Sequence, residues 1–309
     1  MKVLRLLLLG LTVPCAVWCL LAMSAAWWWP GELASHWSRH AALLLIPAMA
    51  AWRFNAVVCG PLCLAFVAGL APWLDSVPLP SAPGPRTLSV VSANMLYLNR
   101  QAASIPTILN QGADVVMLCE LWPQAGDLQR IQDPRYPFTV SAVRKGGFND
   151  AIALLSRYPL REIQIRDESS EPWITALVEV PGGAVRLVAV HPEDPTRQAR
   201  GIRRDRQLAT FAALAAASVE PVVVAGDFNC TVGSPAWRPL AVAGLAPSSG
   251  FRPGTWPAGF PIGHFHLNLG PAGIRIDHVL TRGAVVRAER VFTIPGSDHR
   301  GVLADIALP

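Results

Sequence analysis

Pro221-Val222-Val223-Val224-Ala225-Gly226-Asp227-Phe228-Asn229 is apolar up to Ala225 and then turns, through a glycine, into a carboxylate, a ring and an amide. An apolar run without polar alternation reads as a strand buried on both faces, the kind found in sheets covered by helices. Its Gly-Asp ending places an acid at the rim of the sheet. The same design recurs on either side. Thr87 to Ala93 ends at Asn94, Asp114 to Cys119 at Glu120, and Val185 to Val190 at His191, while Gly273 to Ile276 runs into Asp277-His278. Helical patterns fill 100 to 112 and 196 to 217. Further strand pairs near 136 to 180 and 275 to 307 make the sheets mixed, so residues 86–309 read as one α/β domain.

The excess of apolar residues, 52% of the 309, lies before residue 75. Val3 to Trp29 carries no charge except Arg5, which predicts a spanning helix closed by the aromatic belt Trp27-Trp28-Trp29 and broken by Pro30-Gly31. A cleaved signal peptide is the competing reading. Ala41 to Leu74 is too long for one untilted crossing and reads as two helices, the first over about 38 to 52, turning at Arg53-Asn55. With Lys2, Arg5 and Arg53 on the cytoplasmic side, three crossings put the rest of the chain outside, at a bacterial cell membrane. Residues 1–76 are thus the expected transmembrane anchor. Residues 77–85, with four prolines, form a stiff linker to the domain at 86–309.

The net charge is +5, supplied almost wholly by arginine, since Lys2 and Lys145 are the only lysines. Arginine suits a phosphate-bearing partner, although a codon bias would give the same composition. Arg197, Arg200 and Arg204 share one face of the helix expected after His191, where they meet either anionic headgroups or plain solvent. The six cysteines show no metal-binding spacing in the 86–309 domain.

Cleaving a phosphoester with water requires neutralising the phosphoryl charge, activating the water and assisting the leaving oxygen. Carboxylates, amides and histidines at strand ends supply all three. Glu120, Asp227 and Asp298 are hard oxygen ligands that suit Mg²⁺ or Mn²⁺. Each residue alone also has a plain structural reading. Asn94 and Asp298 are turn formers, His191 before Pro192 a loop histidine, Asp227 a cap residue, and Asp277 a partner of Arg275.

Taken in order, Asn94, Glu120, His191-Pro192, Gly226-Asp227-Phe228-Asn229, Arg275-Ile276-Asp277-His278 and Ser297-Asp298-His299-Arg300 resemble the motifs of the endonuclease/exonuclease/phosphatase superfamily. The resemblance implies a four-layer α/β sandwich of two mixed β-sheets flanked by helices, DNase I-like, with its site at one edge. It also implies the roles. Glu120 is the principal Mg²⁺ ligand with Asn94 beside it, and Asp298 adds to the same or a second metal position. His299 is general base or phosphate ligand, oriented by Asp277, and Asp227 positions the water. Asn229 and His191 donate to phosphoryl oxygens. Beside these implied roles, Arg275, His278 and Trp256 are expected to bind substrate.

The segments that grip duplex DNA in repair nucleases have no clear counterpart, and Phe148-Asn149-Asp150 matches only in part. The anchor, the linker, Ser156-Arg157-Tyr158-Pro159 and Thr255-Trp256-Pro257 look more like a membrane-bound bacterial branch. Some relatives in that branch are associated with glycopeptide resistance and act on lipid-linked pyrophosphate. The expected function is a membrane-anchored, Mg²⁺-dependent phosphatase or phosphodiesterase, with lipid bilayer and lipid-linked phosphate as partners. An extracytoplasmic nuclease acting on nucleic acid comes second, and an inactive binding protein of the same fold third. The glycine-rich stretch from Trp256 past Phe265 is expected as a loop that either covers substrate or merely connects strands.

Overall fold

The structure is a computed structural model describing residues 2–52, 55–74, 86–145, 150–167, 171–248, 253–262 and 265–309. The expected linker at 77–85, the turn residue Arg53, and Phe148-Asn149 lie outside the described residues, as do the side chains of Phe260 and Phe265.

Two compact units emerge. The first comprises residues 1–77 together with 195–201 and 230–238. Its helices are α1 (Lys2–Ala22), α2 (Trp29–Ser35), α3 (Ser38–Trp52) and α4 (Ala56–Leu74). Pro30 opens α2 rather than simply ending the helix before it, because a proline in a first turn gives up no helical hydrogen bond. α1 stops at Ala22 instead of continuing to Trp29 as the sequence suggested. Cys19, Ala42, Leu45, Ala48, Leu62 and Ala65 form the seam where α1, α3 and α4 pack. Three polar contacts tie one end of the bundle: Trp18 Nε1 donates to Ala34 O (2.9 Å), Ser38 Oγ to Gly69 O (2.9 Å) and Trp73 Nε1 to Ser38 Oγ (3.0 Å). Outward, Val13, Val17, Leu43, Leu44, Leu64 and Val67 are exposed. Among the described residues no helix is long and apolar enough to cross a membrane.

The second unit holds the sheets. In chain order they use β1 (Arg86–Asn94), β2 (Val115–Leu121), β3 (Phe138–Val143), β4 (Ala151–Ser156), β5 (Leu160–Arg166), β6 (Trp173–Val180), β7 (Gly183–Val190), β8 (Val222–Asp227), β9 (Gly259–Ile262), β10 (Phe265–Asn268), β11 (Asp277–Arg282), β12 (Val285–Thr293) and β13 (Arg300–Leu308). Six strands run in the order β12-β13-β1-β2-β4-β3 and five in the order β11-β8-β7-β6-β5. Within them β1–β2 and β7–β8 are parallel and the other pairs antiparallel, so both sheets are mixed. β9 and β10 form a small antiparallel ladder where the sequence suggested a loop.

Period-two alternation builds the layers. Leu88 and Val90 of β1, with Val115 and Met117 of β2, face Leu187, Val223, Ala225 and Val279 of the other sheet across a shared core. Each of these leucine, valine and methionine side chains, fully buried, contributes about 1.5–3 kcal/mol. The alternate residues Val91, Ala93, Val116 and Leu118 pack outward on Ile105 and Ile108 of α5 (Ser104–Leu109). A further short helix, α6 (Asp127–Arg130), follows β2. On the opposite side, α7 (Gln198–Ala217) buries Leu208, Phe211 and Ala215, with Phe211 edge-on to Trp173 at 5.3 Å. These are the four layers the sequence implied.

Candidate active site

One rim of the sandwich collects the polar strand ends. β1 ends at Asn94, β8 ends at Asp227, and β7 stops one residue before His191, while β13 starts one residue after His299. β11 differs from the sequence expectation: the strand begins at Asp277 instead of ending there, because it runs antiparallel to β8 and pairs Asp277 directly with Asp227. Gly226 makes this crowding possible. A Cβ there would lie 1.8 Å from Val190 O, and its φ of +153° is one that side-chain-bearing residues avoid. Glu120 (φ 55°) and Asn229 (φ 47°) also hold left-handed backbone, which asparagine tolerates but which costs a glutamate about 1–3 kcal/mol, a strain that concentrates at functional sites.

Asn94 Nδ2 donates to Glu120 Oε1 (2.8 Å) and to Asp227 Oδ2 (3.1 Å), while Asn94 Oδ1 accepts from Leu96 N (2.9 Å). Asn94 thus ties two carboxylates together with its nitrogen instead of presenting its oxygen to a cation. Tyr97 N donates to Glu120 Oε2 (3.2 Å). His191 Nε2 lies 3.5 Å from Glu120 and 3.9 Å from Asp227. Burial would depress the His191 pKa, but Glu120, Asp227, Glu171 and Asp150 together raise it above the ordinary value.

His299 Nδ1 is 2.9 Å from Asp277 Oδ2, and its Nε2 is 3.7 Å from Asp227 Oδ2. Here too burial opposes the charge, and Asp277 with Asp227 overcomes it, pushing His299 up to about 10. Burial and Asp277 push Asp227 up to about 6, against the pull of the two histidines. The backbone around the pair is pinned. Ser297 Oγ donates to Asn94 O (2.8 Å) and accepts from His299 N (3.0 Å), and Thr255 Oγ1 accepts from Asp277 N (3.1 Å). Asn229 N donates to Asp227 Oδ1 (2.8 Å), and Asn229 Nδ2 to Pro192 O (3.0 Å).

Three expected site residues are placed otherwise. Trp256 Nε1 donates to Asp298 Oδ2 (3.0 Å), so its indole nitrogen engages an acid of the site. Arg275 is buried and paired with Glu289, with Nη1 on Pro253 O (3.1 Å). His278 is buried edge-on against Phe228, because alternation along β11 turns it away from the face of Asp277. Arg204 is likewise not at a headgroup surface. It is fully buried and donates to Asn229 O (2.9 Å). Conversely, the structure adds Glu171 and Asp150, whose oxygens lie within 4.8 Å of each other and of a His191 nitrogen. Arg144 pairs with both. No motif pointed to Glu171, which sits in an ordinary loop sequence before β6.

The donor set fits a hard divalent cation. Glu120, His191 and Asp227 offer ligand atoms within 4.8 Å of one another. Asp298 Oδ1 and Asp277 Oδ1 are buried without a hydrogen-bond partner among the described residues, an arrangement that costs free energy unless a cation or proton completes it.

No curated protein matches the chain. Solved structures do. An endonuclease/exonuclease/phosphatase from Beutenbergia cavernae is 20% identical, with a TM-score of 0.55 over 72% of each chain. Sphingomyelinase C from Streptomyces griseocarneus is 20% identical, with a TM-score of 0.52 over 71% of this chain and 99% of that one. D. rerio TDP2, complexed with single-strand DNA product, is 17% identical, with a TM-score of 0.54 over 71% and 98%. The model of the Endonuclease/Exonuclease/phosphatase family matches residues 91–299, which takes in every strand-end residue described above. The chain belongs to that family and is a metal-dependent hydrolase acting on phosphoester bonds.

Proposed function

We propose that this hydrolase is membrane-anchored, uses Mg²⁺ (or Mn²⁺), and acts on a lipid-linked phosphate or pyrophosphate at the extracytoplasmic face. The observation that carries this reading is a phosphoesterase site on the same chain as a helical bundle with an apolar exterior. Val13, Val17, Leu43, Leu44, Leu64 and Val67 supply that exterior, although among the described residues no helix is by itself long and apolar enough to cross a membrane. Trp18 ties the later part of α1 to α2 at Ala34, and Ser38 ties the start of α3 to the C-terminal part of α4 through Gly69 and Trp73.

Within the site, Glu120 would hold the cation, with Asp298 turning its unpartnered oxygen to the same or a second ion. A cation held there would supply positive charge to neutralise the phosphoryl group. Asp227, held near neutrality, is suited to accept the proton of an attacking water. His299 holds its proton between two aspartates, and with His191 and Asn229 it donates to phosphoryl oxygens, which favours the phosphate-binding role over the general-base role.

The nuclease reading draws on the TDP2 neighbour with its DNA product, as the lipid reading draws on the sphingomyelinase. One panel separates them: full-length protein in detergent with Mg²⁺, assayed on prenyl pyrophosphate, bis-p-nitrophenyl phosphate and plasmid DNA. The lipid pyrophosphate should turn over fastest, and DNA cleavage exceeding it would put the nuclease first. Reporter fusions after Pro85 test the orientation. Alkaline phosphatase should be active there and a cytoplasmic fluorescent protein dark, and the reverse pattern would refute the extracytoplasmic placement.

A further inference from the structure

Two active-site strands run directly into the helical unit. Past His191 the chain enters segment 195–201, and past Asn229 it enters segment 230–238, and both segments belong to the compact unit of the N-terminal helices. Inside that unit the second segment is held by a buried polar network. His36 Nδ1 lies 3.0 Å from Thr231 Oγ1 and accepts from Thr231 N (3.3 Å), while His36 Nε2 is 3.0 Å from Glu32 Oε1. Ser234 Oγ donates to the same Glu32 oxygen (2.9 Å). Gly233 lies against Trp73, where a Cβ would come within 2.6 Å of the indole. The first segment is held by Trp29, whose Nε1 donates to Pro195 O (2.8 Å).

Glu32, His36, Thr231 and Ser234 are each at most 7% exposed. Burying a carboxylate and an imidazole is costly unless they are mutually satisfied, so the network imposes a specific geometry and not generic adhesion. Its neighbour in the chain is Asn229, held at φ 47°. Asparagine enters this region more readily than other side-chain-bearing residues, and the bonds of Asn229 to Asp227 Oδ1 and Pro192 O hold it there, so a shift of segment 230–238 reaches those bonds through one peptide unit.

We propose that the N-terminal helices are a positioning part of the active site, with Glu32, His36 and Trp29 fixing the segments that leave His191 and Asn229. The inference rests on the site roles given above but not on the lipid substrate. Glu32 and His36 are positioning residues that act through Asn229, and removing residues 1–76 is then no neutral truncation.

The test uses full-length protein in nonionic detergent with Mg²⁺ and bis-p-nitrophenyl phosphate, so that no lipid substrate enters the readout. His36→Ala should lower kcat about 10- to 100-fold, the scale of a misplacement near 1 Å, with KM little changed. His36→Asn, which keeps a polar atom where Nδ1 meets Thr231, should restore most of the loss. In an Asn229→Ala background His36→Ala should have less than about a twofold further effect, as for residues acting as a unit. A kcat unchanged by His36→Ala, or an equal loss with and without Asn229, overturns the proposal. Should His36→Ala fail to fold, the near-isosteric Thr231→Val, judged by the same kcat ratio and Asn229 dependence, decides. If plasmid DNA proves the better substrate the same ratios are read on it, so failure of the lipid reading leaves this test intact.

Discussion

His299 and Asp277 form the fixed axis of the site: Nδ1 of the imidazole is 2.9 Å from Oδ2 of the buried carboxylate, which turns Nε2 toward Asp227. Asp277 is placed by its position as the first residue of β11, where its register partner is Asp227 itself. The two aspartates are therefore positioned by backbone pairing, and His299 by the bonds of its N–H to Ser297 Oγ and of its ring to Asp277.

Asp277→Asn keeps the shape and removes the charge that holds the imidazole proton. It should lower kcat by about 10²–10⁴, as when the orienting acid of a His pair is amidated, with KM nearly unchanged. Asp227→Asn and His299→Ala act on one step, so their combined loss should fall well short of the product of the singles. Steady-state kinetics of the four variants decide this, and strictly multiplicative losses would show that the two residues serve separate steps.

Glu120→Gln tests the cation. Wild-type protein should melt higher in saturating Mg²⁺, by about 2.7 kcal/mol of added stability at a hundredfold excess over the dissociation constant. The Gln variant should lose both that shift and turnover while melting near wild type without metal. A retained Mg²⁺ shift would move the binding position away from Glu120.

Much of this was legible in the sequence because polar residues that end apolar strands have few other places to go. Asn94, Glu120, His191, Asp227 and His299 were all found that way and all gather at one rim. The misplacements share a cause. His278 and Arg275 flank Asp277 closely in sequence, but strand alternation and the pairing of Arg275 with Glu289, 14 residues away, are invisible without the register. Glu171 was missed because it reaches His191 through tertiary proximity alone. The helical unit's claim on 195–201 and 230–238 was likewise hidden, since no composition change marks either segment.

Arg275 gives a test of that correction. Breaking a buried ion pair strands the partner, here Glu289, at about 3–5 kcal/mol. Arg275→Ala should therefore lower Tm by about 10 °C, with KM unchanged in the folded fraction. Arg275→Met with Glu289→Leu should recover most of the melting temperature. A raised KM with an unaltered Tm would instead return Arg275 to the substrate.

Glu171 carries the pH prediction. Burial pushes its carboxyl up to about 7, with His191 and Arg144 opposing the rise and Asp150 and Glu193 adding to it. Below about 4.5 the group is protonated in folded and unfolded chains alike and contributes no pH dependence. Between about 4.5 and 7 the unfolded chain releases the proton first, so the folded state binds more protons and stability falls as pH rises. Above about 7 the full penalty of an ionised buried carboxylate stands, on the order of 3 kcal/mol. Glu171→Gln is neutral throughout. Its loss of the Arg144 pairing gives an offset in Tm that varies little with pH, while relief of the ionisation penalty grows across that window. The Tm difference, variant minus wild type, should therefore climb between about pH 4.5 and 7 and level off above it. Thermal melts of the full-length protein at a series of pH values measure it. A difference that stays flat would mean that the unfolded and folded carboxyls ionise alike, and that Arg144 pairs with an ordinary charged glutamate.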